Sequence, residues 1–177
     1  MVAYVAMLRG INVSGKNKIK MSELQALFVG LGHVDVTTYI QSGNVVFKSD
    51  EKRVVALTAA IEQRIVRELG FEVPVVLRTK AELAKVIADN PFGAGHLAKV
   101  HVTFLAKKPD AAVVRALADH SSPPDEFRIV GREVFLHCPS GYGNTKLNNT
   151  FWERKLKVGS TTRNWNTVEK LFELSSV

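Results

Sequence analysis

Two glycine-containing segments hold the chain's excess positive charge, and any chemistry has to be argued from them first. Residues 9–20 carry Arg9, Lys16, Lys18 and Lys20 with no acid, and residues 146–163 carry Lys146, Arg154, Lys155, Lys157 and Arg163 against a single Glu153. Each segment is therefore +4, in a chain whose formal net charge is +7. Concentration of the excess in two places makes a local positive field that attracts anions, where scattered lysines would only aid solubility. Arginine grips carboxylate or phosphate oxygens in pairs, and lysine adds an adjustable point charge.

The first segment contains Gly10-Ile-Asn-Val-Ser-Gly15-Lys16-Asn17 behind an apolar run. It comes within one residue of the phosphate loop G-x-x-x-x-G-K-[ST], in which backbone N–H groups cradle phosphates and the hydroxyl holds magnesium. Asn17 stands where the hydroxyl is needed, and the next helix signal, at Ser22, comes too late to aim an N-terminus at a phosphate held by Lys16. No later strand ends in a magnesium-holding aspartate. The pattern thus argues against a nucleotide triphosphatase and leaves two readings, a solvated turn or a simpler anion loop using Arg9, Gly10, Asn12, Gly15 and Lys16.

In the second segment and just before it, Ser140-Gly-Tyr-Gly-Asn-Thr-Lys-Leu147 offers two glycines for close backbone approach, Tyr142 for stacking and Lys146 for charge. Thr161-Thr-Arg-Asn-Trp-Asn166 places Arg163, Asn164 and Trp165 ahead of the last helix, where hydroxyls and free N–H groups gather. A helix cap plus a buried Trp accounts for that run equally well. Lys146 and Arg163 complete the expected anion contacts. Gln41, Ser42, Asn44, Tyr142, Asn164 and Trp165 are the expected polar readers.

Other chemistries find little support. Cys138 is the sole cysteine, which excludes an internal disulfide and any multi-cysteine zinc site. Its neighbour His137 would point to the opposite face of a strand, so a structural thiol is expected. His33, His96, His101 and His120 show no metal-ligand spacing, no G-x-S-x-G elbow is present, and no carboxylate pair stands out as acid and base. The expectation is no metal and no cofactor.

The elements that must position these residues read in a clear order. Ala3–Leu8 is an apolar strand. Ser22-Glu-Leu-Gln25 reads as a capping box opening a helix that Gly32 ends, and Val34–Ile40 and Val45–Lys48 make a hairpin across Gln41–Asn44. A helix over 51–69 with Val54, Leu57, Ile61, Ile65 and Leu69 on one face stops at Gly70, before a fourth strand Val73–Leu77. After a linking helix, Lys80–Ala88, come strand Val100–Leu105, helix Asp110–Ala118 and a hairpin of Phe127–Val130 with Glu133–His137. The second helix of this half falls either in 146–157 or in 166–174. The fold class expected is α+β: two ferredoxin-like (split βαβ) halves from a structural duplication, packed together, with boundaries at 1–78 and 79–177. In such a fold the two basic loops could meet at one edge.

Hydrophobic residues make up 46% of the chain and the mean hydropathy is +0.02, values of an ordinary globular protein. No apolar run approaches the roughly 20 residues that span a bilayer. Met1–Leu8 lacks a basic n-region and is ended by Arg9, so it reads as a strand instead of a signal peptide. The expectation is a cytoplasmic protein with no membrane partner.

Four runs in order, Leu8-Arg-Gly-Ile-Asn-Val-Ser-Gly-Lys-Asn-Lys18, Thr38–Phe47, Leu136–Leu147 and Thr161–Val168, resemble the bacterial family of unknown function DUF1697 over nearly the whole chain. Ser14 stands where that family usually has a second glycine, a mild loss of loop freedom. The resemblance implies a duplicated ferredoxin-like α+β fold. It carries no reaction and no functional residue, so the site residues rest on side-chain chemistry. They point to a protein that binds a phosphorylated or carboxylated small molecule, with catalysis undemonstrated. The alternatives are nucleic-acid binding, since ferredoxin-like sheets can offer aromatics to bases and basic loops to phosphates, and a partner-binding protein using a sheet edge. No RNP-type aromatic strand supports the nucleic-acid alternative.

Overall fold

The structure, a computed structural model, describes residues 1–177. The chain divides into two compact units, Met1–Ala84 together with Leu171–Val177, and Lys85–Lys170. The last residues of the chain thus belong to the first unit, whereas a boundary at residue 79 would have left them in the second.

In the first unit the elements are β1 (Val2–Leu8), α1 (Met21–Gly30), β2 (Val34–Tyr39), β3 (Asn44–Ser49), α2 (Val54–Leu69), β4 (Val75–Thr79) and the start of α3 (Lys80–Ala88). The sheet is antiparallel in the order β2-β3-β1-β4. Period-2 alternation turns Tyr4, Ala6 and Leu8 of β1 and Val45 and Phe47 of β3 to one face, where they meet Leu24, Leu27 and Phe28 of α1 and Leu57, Ile61 and Ile65 of α2. The four-residue spacing in α2 is what puts its three core residues in one stripe. Each such side chain contributes about 1.5–3 kcal/mol on burial. Tyr4, Phe28 and Phe47 form a ring cluster, with centroids 5.1 Å apart for Phe28–Phe47 and 5.7 Å for Tyr4–Phe47.

The second unit repeats the order. β5 (Val100–Leu105), α4 (Ala111–Arg115), β6 (Glu126–Val130), β7 (Glu133–His137), α5 (Asn149–Leu156) and β8 (Ser160–Asn164) lead into α6 (Trp165–Leu174). Its sheet is β6-β7-β5-β8, also antiparallel, and its core joins Leu105, Val134, Leu136 and Cys138 to Leu147, Trp152 and Leu156.

The two halves share a feature finer than strand order. Arg78 pairs with Val5 across β4 and β1, and Arg163 pairs with Val102 across β8 and β5. Both arginine side chains are buried, and each donates from Nη1 to the carbonyl of the residue before it, Leu77 and Thr162, at 2.9 Å. In both halves the strand then runs straight into a helix through a capping residue. Thr79 Oγ1 accepts from Glu82 N at 3.2 Å, and Asn164 Oδ1 accepts from Thr167 N at 2.8 Å.

Several boundaries differ from the sequence reading. Residues 146–163 are not one loop but a turn, α5 and the strand β8, whose sequence Ser-Thr-Thr-Arg-Asn has no apolar residue to announce it. α1 begins at Met21, and the expected Ser22–Gln25 capping box does not form. Glu23 instead accepts from Lys20 N at 3.3 Å, and Gln25 donates to Val36 O at 2.8 Å, tying the helix to β2. α2 starts at Val54 because Glu51 closes a turn on Arg53, accepting from its backbone N at 2.8 Å and from its guanidinium, bonds that hold the carboxyl down at about 2. β4 lies two residues later than expected, and α4 is shorter.

One glycine is required by close approach. Gly43, at φ +87°, has a missing Cβ that would sit 2.4 Å from Ile11 Cδ1 and 3.1 Å from Leu8 Cβ. Gly43→Ala is therefore expected to cost about 2–3 kcal/mol in a urea unfolding midpoint, the sum of left-handed strain and overpacking. Gly15→Ala, at φ +73° with nothing near the added Cβ, should cost about 1 kcal/mol from strain alone.

Candidate functional site

The first basic segment is a small hairpin pinned at its base. Val13 and Lys16 pair across Ser14-Gly15, both at positive φ (50° and 73°), with Lys16 N donating to Val13 O at 3.0 Å. That is a two-residue turn of the I′ kind. It spends the Lys16 N–H that a phosphate cradle would offer and leaves the Lys16 side chain exposed at the tip. The base is held by Asn12, whose Nδ2 donates to Ile19 O (3.1 Å) and Gln41 O (2.8 Å) and whose Oδ1 accepts from Ile19 N (2.9 Å). Asn17 Nδ2 reaches Gly10 O at 3.3 Å. Asn44, fully buried, donates to Tyr39 O and Ser42 Oγ. So Asn12 and Asn44, expected as ligand contacts, have their amides committed to holding this loop and the neighbouring turn. Gln41 and Ser42 are exposed, and Arg9 is half-buried.

The second unit builds a groove around Lys146. After β7 the chain turns at Gly141 (φ 93°), whose N–H donates to Cys138 O at 2.9 Å, and Thr145 Oγ1 donates to Asp125 Oδ2 at 2.6 Å. Leu147 is buried in the core, its N–H donates to Thr145 Oγ1, and its carbonyl accepts from Trp152 Nε1 at 2.9 Å. Asn148 Oδ1 then caps α5, accepting from Phe151 N at 3.0 Å. With Thr145 and Leu147 both anchored inward, the Lys146 side chain is turned out to solvent. It faces a groove of about 990 Å³ that it shares with Arg154, one turn beyond Thr150 on α5, and with Ser140, Gly141 and the 122–125 segment. Neither Lys146 nor Arg154 makes an ion pair or a side-chain hydrogen bond.

The remaining expected contacts lie within the fold. Arg163 is buried on β8, bonded to Thr161 Oγ1 (2.8 Å) and Thr162 O, and burial pushes its pKa down to about 10, which still leaves it protonated at neutral pH. The structure thus separates Arg163, buried on β8, from Lys146, which lines the groove together with Arg154. The sequence suggests a loop around Arg163 because β8 carries no apolar signal. Trp165 is buried with Nε1 unpartnered, and Asn164 caps α6. Tyr142 stacks on His101 with centroids 4.7 Å apart, and burial lowers the His101 pKa. Arg9 and Lys16 belong to the first unit, Lys146 and Arg163 to the second. Arg154, His120 and Phe151 also line the groove, and the sequence does not mark them as candidate contacts. The Thr150–Arg154 spacing on a capped helix was the available signal for the first of them.

Cys138 is fully buried, and desolvation raises its thiol to about 11. The residue should therefore react with a disulfide reagent at pH 8 only after unfolding in urea, because almost no thiolate forms below that pKa. Asn12→Ala should lower stability by about 2 kcal/mol, since it strips a partner from the N–H of buried Ile19. No group of three or more His, Cys, Asp or Glu side chains is placed to hold a metal ion, and no helix is long and apolar enough to cross a membrane.

Comparison with known proteins adds a family and a fold. The family described as Protein of unknown function (DUF1697) matches residues 1–135, so the runs Leu136–Leu147 and Thr161–Val168 lie beyond the matched span. Among solved structures, the conserved bacterial protein SP0830 from Streptococcus pneumoniae superposes with a TM-score of 0.77 at 22% identity, covering 98% of both chains. At that identity the likeness speaks for the fold alone. No protein of curated function matches the sequence.

Proposed function

We propose a binding function for this chain, which belongs to the DUF1697 family of proteins of unknown function: it takes a phosphorylated or carboxylated small molecule in the groove of its second unit. The observation that carries the reading is the convergence of Lys146 and Arg154, two cations with no protein partner, on one cavity. Unpaired cations facing a concave surface are stabilised by an incoming anion, and charge-assisted hydrogen bonds of this kind contribute about 1.5–3 kcal/mol each. Ser140, Asn144 and Thr150 add hydroxyl and amide groups around the same cavity. Each half is read as ferredoxin-like, a reading supported by the β-α-β-β-α-β order and the 2-3-1-4 strand sequence. In that frame the groove opens at the β7–α5 connection, a loop position where sites are commonly grafted onto a rigid sheet.

Calorimetric titration with ribose 5-phosphate, inorganic phosphate and citrate tests the reading. Lys146→Ala and Arg154→Ala should each weaken binding about tenfold or more, which is roughly 1.4 kcal/mol, and Lys16→Ala should not. Absence of binding by all three probes at low salt, or equal affinities in the wild type and both groove variants, would show the proposal to be mistaken.

A further inference from the structure

We infer that the ligand of this groove is a nucleoside monophosphate, a conclusion that rests on the anion reading above and narrows it. The cavity, about 990 Å³, lies at the upper end of the roughly 300–1,000 Å³ that holds drug-sized ligands and is far larger than a bare anion needs. Its chemistry is divided. Lys146 and Arg154 supply unpaired positive charge, while Phe151, His120 and the Pro123-Pro124 pair supply flat or apolar wall.

The aromatic part is held in place from behind. Phe151 packs edge-on against the buried Trp152 ring at 4.8 Å and 86°, and the His120 ring lies 5.0 Å from Phe151. A ring whose packing is fixed on one side while it lines a cavity on the other is suited to stacking a planar heterocycle. Phe151 and Arg154 are three residues apart on α5, neighbouring positions on a helix surface, so one ligand can touch both.

Asp125 supplies the remaining constraint. Its carboxylate lines the cavity and is oriented by the Thr145 hydroxyl, an acceptor that repels a second anionic group and receives N–H donors. A sugar phosphate can give hydroxyl donors to this acceptor but leaves the aromatic wall unused. A molecule carrying one phosphate and a neutral planar base with ring or exocyclic N–H groups uses all three.

The test is a set of titrations of the full chain with GMP, AMP, ribose 5-phosphate and a single-stranded RNA oligonucleotide. The expected result is that a nucleoside monophosphate binds at least tenfold more tightly than ribose 5-phosphate. Phe151→Leu and the exposed-site variant His120→Ala, each checked for native circular dichroism, should shrink that ratio while leaving ribose 5-phosphate affinity in place. Equal affinities for ribose 5-phosphate and both nucleotides overturn the nucleotide inference and leave the anion reading standing. Tighter binding of the oligonucleotide than of either mononucleotide overturns it in favour of a polymer site. If none of the four binds, both readings fall together.

Discussion

Everything in either half depends on a central strand that is buried over most of its length. Residues from Tyr4 to Leu8 of β1 are all buried, on both faces of the sheet, and in β5 Val102, Thr103, Phe104 and Leu105 are fully buried. A strand with no wet face cannot leave its backbone N–H and C=O groups to water, so both of its edges must be paired. β3 and β7 satisfy one edge, β4 and β8 the other. This requirement explains why β8 exists even though its side chains give no sign of it. Ser160–Asn164 is a strand because β5 needs a partner there, and its polar residues are accommodated by local bonds such as Thr103 Oγ1 with Thr162 Oγ1 at 2.7 Å and Thr162 Oγ1 to Asn149 Oδ1 at 2.8 Å.

The groove follows from the same economy of anchors. Trp152 and Leu147 are core residues first, and the bond between indole Nε1 and the Leu147 carbonyl satisfies two buried polar groups at once. That anchor fixes where the chain enters α5. It also decides that Lys146 faces out, that Phe151 is braced by a ring behind it, and that Arg154 emerges one turn later on the same face. The positive character of the groove is thus set by packing beneath it, with no acidic side chain spent on positioning the cations.

How far the sequence could be read divides along these physical lines. Elements with apolar periodicity were legible: β1, the hairpins, α3 and β5 fall where the pattern places them, and Gly70 ends α2 in the left-handed conformation. Caps were less legible, because Ser22 satisfied the motif while the chain used Glu23 on Lys20 N. In the second unit the sequence points to Lys146 and the glycine loop and groups them with Arg163, because proximity along the chain is its only guide, whereas the groove that Lys146 lines is shared with Arg154. Arg163 is instead the second-half equivalent of Arg78, a correspondence visible only once strand register is known. Asn12 and Asn44 illustrate the other difficulty. A side-chain amide has the same appearance in a sequence whether it waits for a ligand or holds two backbone segments together.

One place where the two halves differ is the link from the third strand of each sheet into the second helix. In the first half that link is residues 50–53, closed on itself by Glu51 and Arg53, whereas in the second it is residues 138–148 and carries the groove. Two sheets of the same strand order offer equivalent attachment points, and a link can be longer at one of them while the ladder beneath it stays the same. The short link closes the first half at that point, and the longer one gives the second half room for a groove on a sheet of the same strand order, so the recess is a property of the connection and not of the sheet.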